Sequence, residues 1–521
     1  MSRTIPAEVV SSYWAAGAYP RSIHPDFPAR TRLPEPDLVF DTLLARGVAV
    51  RDNPSQISSP FLHFAALISI DRSESQHLSE TENRGRRRLR LTPLYGRTSA
   101  QESTVRMFSN GLLKGDMFAS SEAWRELPGV RILLVMFNRF HNYIAGGLSA
   151  YGYPATIKRL EIESNSLTAA ERDEALYQMA RRITCRLYIN IILNDYLRTF
   201  LGINRTDKKW TMEPKSLSRL CISQNNNTAR SVLCDTHEAA MDLTFESWWK
   251  SAISEKDNSY MSRQQSSTFK AGSSDIEIAQ EFRRSVQEIA SAFSPNRVPI
   301  SLRDSQIRTI ARAPELELPS LNELRHMMGL PIYKKIEDIN SCPLVTAKLR
   351  SLYSHPDEIE LYPGMVAEQP PPKTMFATAI LGRRLWTGST VAHAILRDTV
   401  ALIRDDPFYT EEWSSNDVTN WGFREPASDK AVNFGCVMHK LILRAFPKHF
   451  APNSAYAHFP FVIPEGNRVI LARLGSDASY SFEASPRMLP KRAILGLETV
   501  AGFTSPLRVT DPSKLISWKM S

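Results

Sequence analysis

No uninterrupted apolar run in this 521-residue chain approaches the roughly 20 residues that a bilayer-spanning helix needs, so a transmembrane protein is not expected. The opening residues, MSRTIPAEVVSSYW, lack the charged-then-apolar layout of a secretory leader. Cysteine is scarce: Cys185, Cys221, Cys234, Cys342 and Cys436 are scattered, odd in number, and in no metal-ligand spacing. They read as reduced thiols and set the expectation of a cytoplasmic protein, in which the sequons at Asn204 and Asn226 carry no weight. Also missing are a Gly-rich phosphate loop, a zinc spacing and a Ser-His-Asp order, which removes three common mechanisms. Sustained period-two alternation with hairpin turns is absent, as is any repeat at a solenoid period, which argues against a β fold or a repeat array.

What is present is the composition of a globular protein with a large core, 42% hydrophobic and 23% charged. The net charge of +9 is modest for this length, but part of it is concentrated in Arg84, Arg86, Arg87, Arg88 and Arg90. Such a cluster suits an anionic membrane surface, and the competing reading is a solvated loop. Aromatic residues are not interleaved with the arginines, so no nucleic-acid partner is expected.

Helical signals dominate. Val130, Leu134, Phe137, His141, Ile144 and Leu148 recur at three and four residues, the apolar stripe of a helix that has Pro128 near its start. A second helix opens at Thr168-Ala169-Ala170-Glu171, a capping box, with Leu176, Ala180, Ile183, Leu187 and Ile191 inward and Gly202 placed to end it. A third spans about Asp275–Phe293, with Ile276, Ile278, Phe282, Val286 and Ile289 as inner positions. Residues 1–55 are proline-punctuated and read as an arm on the surface of a larger body; 56–475 form one mainly α domain with long irregular connections; 476–521 read as a tail. Gln369-Pro370-Pro371-Pro372-Lys373 is a stiff, extended connection inside that domain.

Several stretches are long and idiosyncratic: Leu94-Tyr95-Gly96, the run Met136–Tyr143, the segment Ala175–Gly202, and Met241–Tyr260 (MDLTFESWWKSAISEKDNSY). Further along stand Leu321–Arg325, His355-Pro356-Asp357, Glu360–Gly364 and Thr419–Gly422. Together they resemble the fungal linoleate diol synthases and psi-factor-producing oxygenases, within the animal haem peroxidase superfamily that includes the cyclooxygenases. The resemblance runs from about Val39 to Arg468. It implies a haem peroxidase-like helical fold, haem as cofactor, and a polyunsaturated fatty acid or other lipophilic molecule as substrate, oxygenated with molecular oxygen. Many such proteins carry a second, haem-thiolate domain, and this chain stops at Ser521, about where that domain is expected to begin.

The catalytic positions differ. Where the family carries Tyr-Arg-Trp-His, this chain reads Ser247-Trp248-Trp249-Lys250. Lys250 therefore matches the proximal haem ligand, and an amine ligates iron only when deprotonated, which costs about 4–5 kcal/mol at pH 7 from its reference pKa. Ser247 matches the radical tyrosine, and an aliphatic hydroxyl does not stabilise that radical. Trp248 and Trp249 are oxidisable, yet point to other faces and read as core. The family's distal histidine falls on Ile70, in His63-Phe64-Ala65-Ala66-Leu67-Ile68-Ser69-Ile70. His63 lies about 10 Å earlier along a helix, too far to substitute. Arginines precede Leu94-Tyr95-Gly96 where the superfamily has a calcium carboxylate, so calcium is not expected. His141 matches a structural histidine and reads as a hydrogen-bonded core group, and His237, in the polar stretch that leads to the Lys250 helix, reaches a pocket only if the ungapped alignment there is wrong. Exchange at four sites together argues against unchanged dioxygenation. Three readings follow: a divergent haem-dependent fatty-acid oxygenase in which Lys250 or another group has taken over as ligand, an enzyme of altered chemistry acting on a lipophilic metabolite, or a catalytically inactive member that keeps the fold as a lipid-binding or regulatory protein.

Overall fold

The computed structural model describes residues 33–47, 52–76, 89–120, 128–150, 168–202, 273–290, 292, 294–298, 300–315, 318–370, 388–404, 415–429 and 431–484. The mainly α architecture expected from the sequence is what these residues adopt. Strand pairing among them is limited to isolated bridges such as Ile57–Val462 and Ser58–Ile289. Six helices position the site and are labelled here in chain order.

Helix α1 (Ser59–Gln76) buries Phe61, Leu62, Phe64, Ala65, Ala66 and Leu67 in succession. A helix apolar on every side gains by lying inside the protein rather than on it. Helix α2 (Pro128–Ala150) packs beside it and buries all six residues of the predicted stripe. Its longest contact is with α3 (Ala169–Ile191), whose start carries the predicted capping box: Glu171 N–H donates to Thr168 Oγ1 (3.2 Å) and Thr168 N–H to the Glu171 carboxylate (2.8 Å). The predicted inner face of α3 is buried throughout. The helix then widens into a π turn, Ile192–Tyr196, before a last α turn, Leu197–Phe200, and Gly202 follows at φ +66°. A left-handed residue just past a helix end is a position glycine fills without steric cost.

Helix α4 (Asp275–Gln287) differs from its expected form in two ways. Ile276 is 57% exposed, because Ile278, Ala279, Phe282, Ser285 and Val286 define the inner face and a position two residues from Ile278 points nearly opposite to it. The helix also stops short of Phe293. Glu288 is extended, and Ala290 instead exchanges backbone hydrogen bonds with Ile57 and Asn53.

Residues 36–44, within the predicted arm, form a short helix (Pro36–Val39) and a π turn (Phe40–Leu44) that bury Val39, Phe40, Leu43 and Leu44 in the main core. Helices α5 (Met438–Ala445) and α6 (Pro464–Arg473) close the described structure, followed by a short turn at Asp477–Ser479. A buried polar knot ties distant segments together. Glu368 accepts from Arg325 (2.7 Å), the Tyr333 hydroxyl (2.6 Å), Ser389 and Thr390. Most of the polyproline connection lies outside the described residues.

Candidate functional site

Of the three positions that matched the family's catalytic residues, the described structure contains one. Ser247 and Lys250, with Trp248, Trp249 and His237, lie outside the described residues, as do Arg84, Arg86, Arg87 and Arg88. Ile70 sits in the second half of α1, 4% exposed and part of the main apolar core. Its side chain has no proton to give or take, so this point of the helix is an apolar wall.

His63 does not stand in for it. Its ring lies against the start of α2, where a Cβ added to Gly129 would fall 2.0 Å from Nδ1. Glycine at 129 is thus what lets α1 and α2 approach with the imidazole between them. Burial lowers the His63 pKa to about 4, so the ring is neutral at physiological pH. It is a core histidine two helical turns from Ile70.

The residue after Ile70 went unremarked in the sequence and proves structural. Asp71 is fully buried and its carboxylate accepts the backbone N–H of Leu91 (3.2 Å) and Thr92 (2.7 Å). Leu91 holds a left-handed φ of +51°, and the carboxylate stabilises that turn into the Leu94-Tyr95-Gly96 motif. The legible signal was a carboxylate interrupting an apolar helix. Among the described residues, no group of three or more His, Cys, Asp or Glu is arranged to hold a metal ion.

Beside this turn the Tyr95 hydroxyl hydrogen-bonds His141 Nδ1 (3.0 Å), and His141 Nε2 hydrogen-bonds the Gly111 carbonyl (2.9 Å). The carbonyl only accepts, so Nε2 carries the proton and Nδ1 receives the phenol's. Burial dominates the lowering of the His141 pKa to about 4. His141 is the hydrogen-bonded core histidine that the apolar stripe implied. Gly111, at φ +69°, also touches α3, where an added Cβ would meet Tyr177 N at 2.6 Å. Arg106, whose backbone bridges antiparallel to Leu113 in the hairpin that carries Gly111, clamps that hairpin to α3 through Asp173 (2.9 Å) and Glu174 (2.5 Å), both salt bridges.

Haem handling of a peroxide or of oxygen calls for an acid–base group facing the metal on the distal side. The described residues at the matching position do not fit that need: Ile70 is aliphatic, and His63 is neutral, buried and packed elsewhere.

A helical core with these motifs defines a peroxidase-type fold. The chain belongs to the animal haem peroxidase family, whose profile matches residues 89–421. Psi-producing oxygenase A of Emericella nidulans is 34% identical over 514 residues, covering 91% of this chain and 46% of that protein. The 7,8-linoleate diol synthase of Pyricularia oryzae is 34% identical over 518 residues, covering 91% and 43%. The chain thus spans about half the length of the curated relatives it matches. Among solved structures, the fatty acid alpha-dioxygenase of Oryza sativa superposes with a TM-score of 0.54 at 14% identity, covering 80% of this chain and 78% of that one. Peroxidase A of Dictyostelium discoideum gives 0.54 at 15%, covering 82% and 93%. Among the described residues, no helix is long and apolar enough to cross a membrane.

Proposed function

We propose that this protein is a divergent family member that takes up a fatty acid or another lipophilic metabolite without the family's haem-dependent dioxygenation. The observation that carries this reading is Ile70: an aliphatic, buried residue at the position the resemblance assigns to the distal histidine. The sequence adds Lys250 for the proximal histidine and Ser247 for the radical tyrosine. The substrate class rests on the relatives' names and on an alpha-dioxygenase structure that contains palmitic acid. The scaffold contacts around Tyr95, His141 and Asp71 hold the fold together independently of the exchanged residues, which favours a lipid-binding or regulatory role. Oxidation by altered chemistry is the second reading, supported by the membership of an oxidoreductase family.

The deciding experiment is a hemin titration of the purified protein, read by absorption spectrum and iron analysis, beside the triple variant Ile70→His, Ser247→Tyr, Lys250→His. Haem bound by the variant and refused by the parent would attribute the loss to the exchanged residues. Stoichiometric, tightly held haem in the parent would overturn the proposal and make Lys250 the next residue to substitute.

A further inference from the structure

Helix α6 and its flanks form a satellite of the main body. Val462, Ile470 and Leu474 cluster with Phe434 in a small apolar group of their own, apart from the main core. The helix packs chiefly against its chain neighbours, Ala455–His458 before it and Asp477–Ser479 after it. Both ends of this unit are tied down through backbone. The Gln56 carbonyl accepts the N–H of Ile463 (3.0 Å), and the Phe461 carbonyl accepts that of Ser58 (3.1 Å). At the other end Ser481 donates to the Asn453 carbonyl (2.9 Å) and accepts from Ala455 N–H (2.8 Å).

The seam between this unit and the body is loosely filled. Asp195, Arg198 and Cys436 on the body side and Ile470, Leu471 and Leu474 on the lower side line a cavity of about 30 Å³. At roughly 10–15 Å³ for each water, that is room for one or two solvent molecules and no more. A void between packed elements forfeits the dispersion contacts that would hold them together. On the body side, Asp195 accepts the N–H of Val437 (2.8 Å) and Met438 (3.2 Å), which fixes the start of α5 and not α6. The joint itself is strained. Asn433, Phe434 and Gly435 are left-handed in succession, at φ 52°, 57° and 90°. A bulky residue such as Phe434 is disfavoured in that region, and Arg198 holds it by donating to its carbonyl at 2.6 Å. The Tyr480 hydroxyl donates to Asn433 Oδ1 (2.9 Å) and fastens the same joint from the far flank of α6.

A separate apolar cluster, an underfilled seam and backbone anchors at both ends are the features of a unit that opens by itself, at less cost than global unfolding. We propose that α6 and its flanks, residues 464–479, are a lid that opens about the anchors at 461–463 and 481 and uncovers the floor formed by Asp195, Arg198 and Cys436. With the lid closed, Cys436 is 6% exposed and its thiol donates to the Asn194 carbonyl (3.5 Å). Burial pushes that thiol pKa up. A thiol reacts as its thiolate, so Cys436 stays inert until the lid opens. Its reactivity is therefore a direct reading of the open population.

The test is N-ethylmaleimide labelling of the native full chain, with the rate at Cys436 read by peptide mass spectrometry beside the urea midpoint. The expected rate is at least tenfold above what the global unfolding equilibrium allows. Leu474→Ala thins the lid's own cluster and should raise the rate tenfold or more. Ile144→Val, in the main core on α2, should lower the urea midpoint yet leave the Cys436 rate within twofold, because the open-lid state keeps that contact. This mild substitution decides the case if Leu474→Ala fails to fold. Labelling no faster than global unfolding, a Cys436 rate that climbs with Ile144→Val, or no response to Leu474→Ala would each overturn the proposal. Hemin titration does not read this lid, so its outcome and that of the proposed function are separable.

Discussion

Two buried regions lie on adjoining helices and have been treated oppositely. Around His141 on α2, each ring nitrogen is hydrogen-bonded: to the Tyr95 hydroxyl and to the Gly111 carbonyl. Around Ile70 on α1 the position that the resemblance gives to a histidine is hydrocarbon. Burying a polar group is tolerated only where partners are waiting for it. The first region keeps its polar groups because they tie a hairpin, a turn and two helices together, whatever the protein does. In the second, the side chain at position 70 has no polar atom to tie to the scaffold, and an aliphatic residue packs there without the cost of burying a polar group. The groups that hold the fold and the position that the resemblance assigns to chemistry are therefore separable, residue by residue.

The sharpest way to break this contrast is to attack a scaffold network. Arg325→Met should leave the Glu368 carboxylate buried with its charge uncompensated, although Tyr333, Ser389 and Thr390 still donate to it. Breaking one partner of such a pair costs about 3–5 kcal/mol. Urea denaturation followed by circular dichroism measures it, and a loss below about 1 kcal/mol would mean that these knots are dispensable.

Acid comes next. His63, His141 and His458 each have a folded pKa of about 4, lowered by burial from 6.5. A folded pKa below the unfolded one means stability that is present above pH 6.5 and lost as pH falls through 4. At 1.36 kcal/mol per unit each imidazole contributes up to about 3 kcal/mol of pH dependence. Asp195 has the opposite sign: burial raises it to about 7, so its share is present below pH 3.8 and lost as pH rises through 7. Denaturation midpoints should fall between pH 6.5 and 4, and His63→Phe should flatten that fall whatever its absolute stability. An unchanged slope in that variant would show that His63 is not buried neutral.

Tyr95→Phe sharpens the comparison at a single hydrogen bond. It removes the phenol and leaves His141 Nδ1 buried without its donor, at a cost of about 1–3 kcal/mol. Stability equal to wild type would place water or another donor at that nitrogen.

Much of the scaffold was legible. The α2 stripe at residues 130, 134, 137, 141, 144 and 148 and the Thr168 capping box are local patterns, and local patterns survive packing. The end of α4 was not legible, because the backbone of Ile57, far away in sequence, captures Ala290. Nor was the burial of Phe40 and Leu43, since nine residues of helix and π turn are too short to show a period. At the site, Ile70 could be read by alignment, whereas the tasks of Asp71 and Asp195 depend on backbone amides brought to them by distant segments.

The smallest effect is expected where the same two kinds of side chain meet in water. Arg303 and Asp41 form a two-pronged pair, Nε to Oδ1 at 2.9 Å and Nη2 to Oδ2 at 2.8 Å, a geometry better than that of Arg325 with Glu368. Yet Asp41 is 54% and Arg303 35% exposed, so both ions are well hydrated without each other. Side-chain ordering then offsets most of the attraction, and added salt screens the rest. The hydrogen bond from Arg303 holds the Asp41 carboxyl below its usual range, which shows contact rather than stability. Arg303→Met should accordingly leave the urea midpoint unchanged within error at 150 mM salt, while Arg325→Met moves it far. If the exposed pair mattered as much as the buried one, geometry and not burial would govern these contacts, and the distinction between the Tyr95–His141 region and the Ile70 region would lose its physical basis.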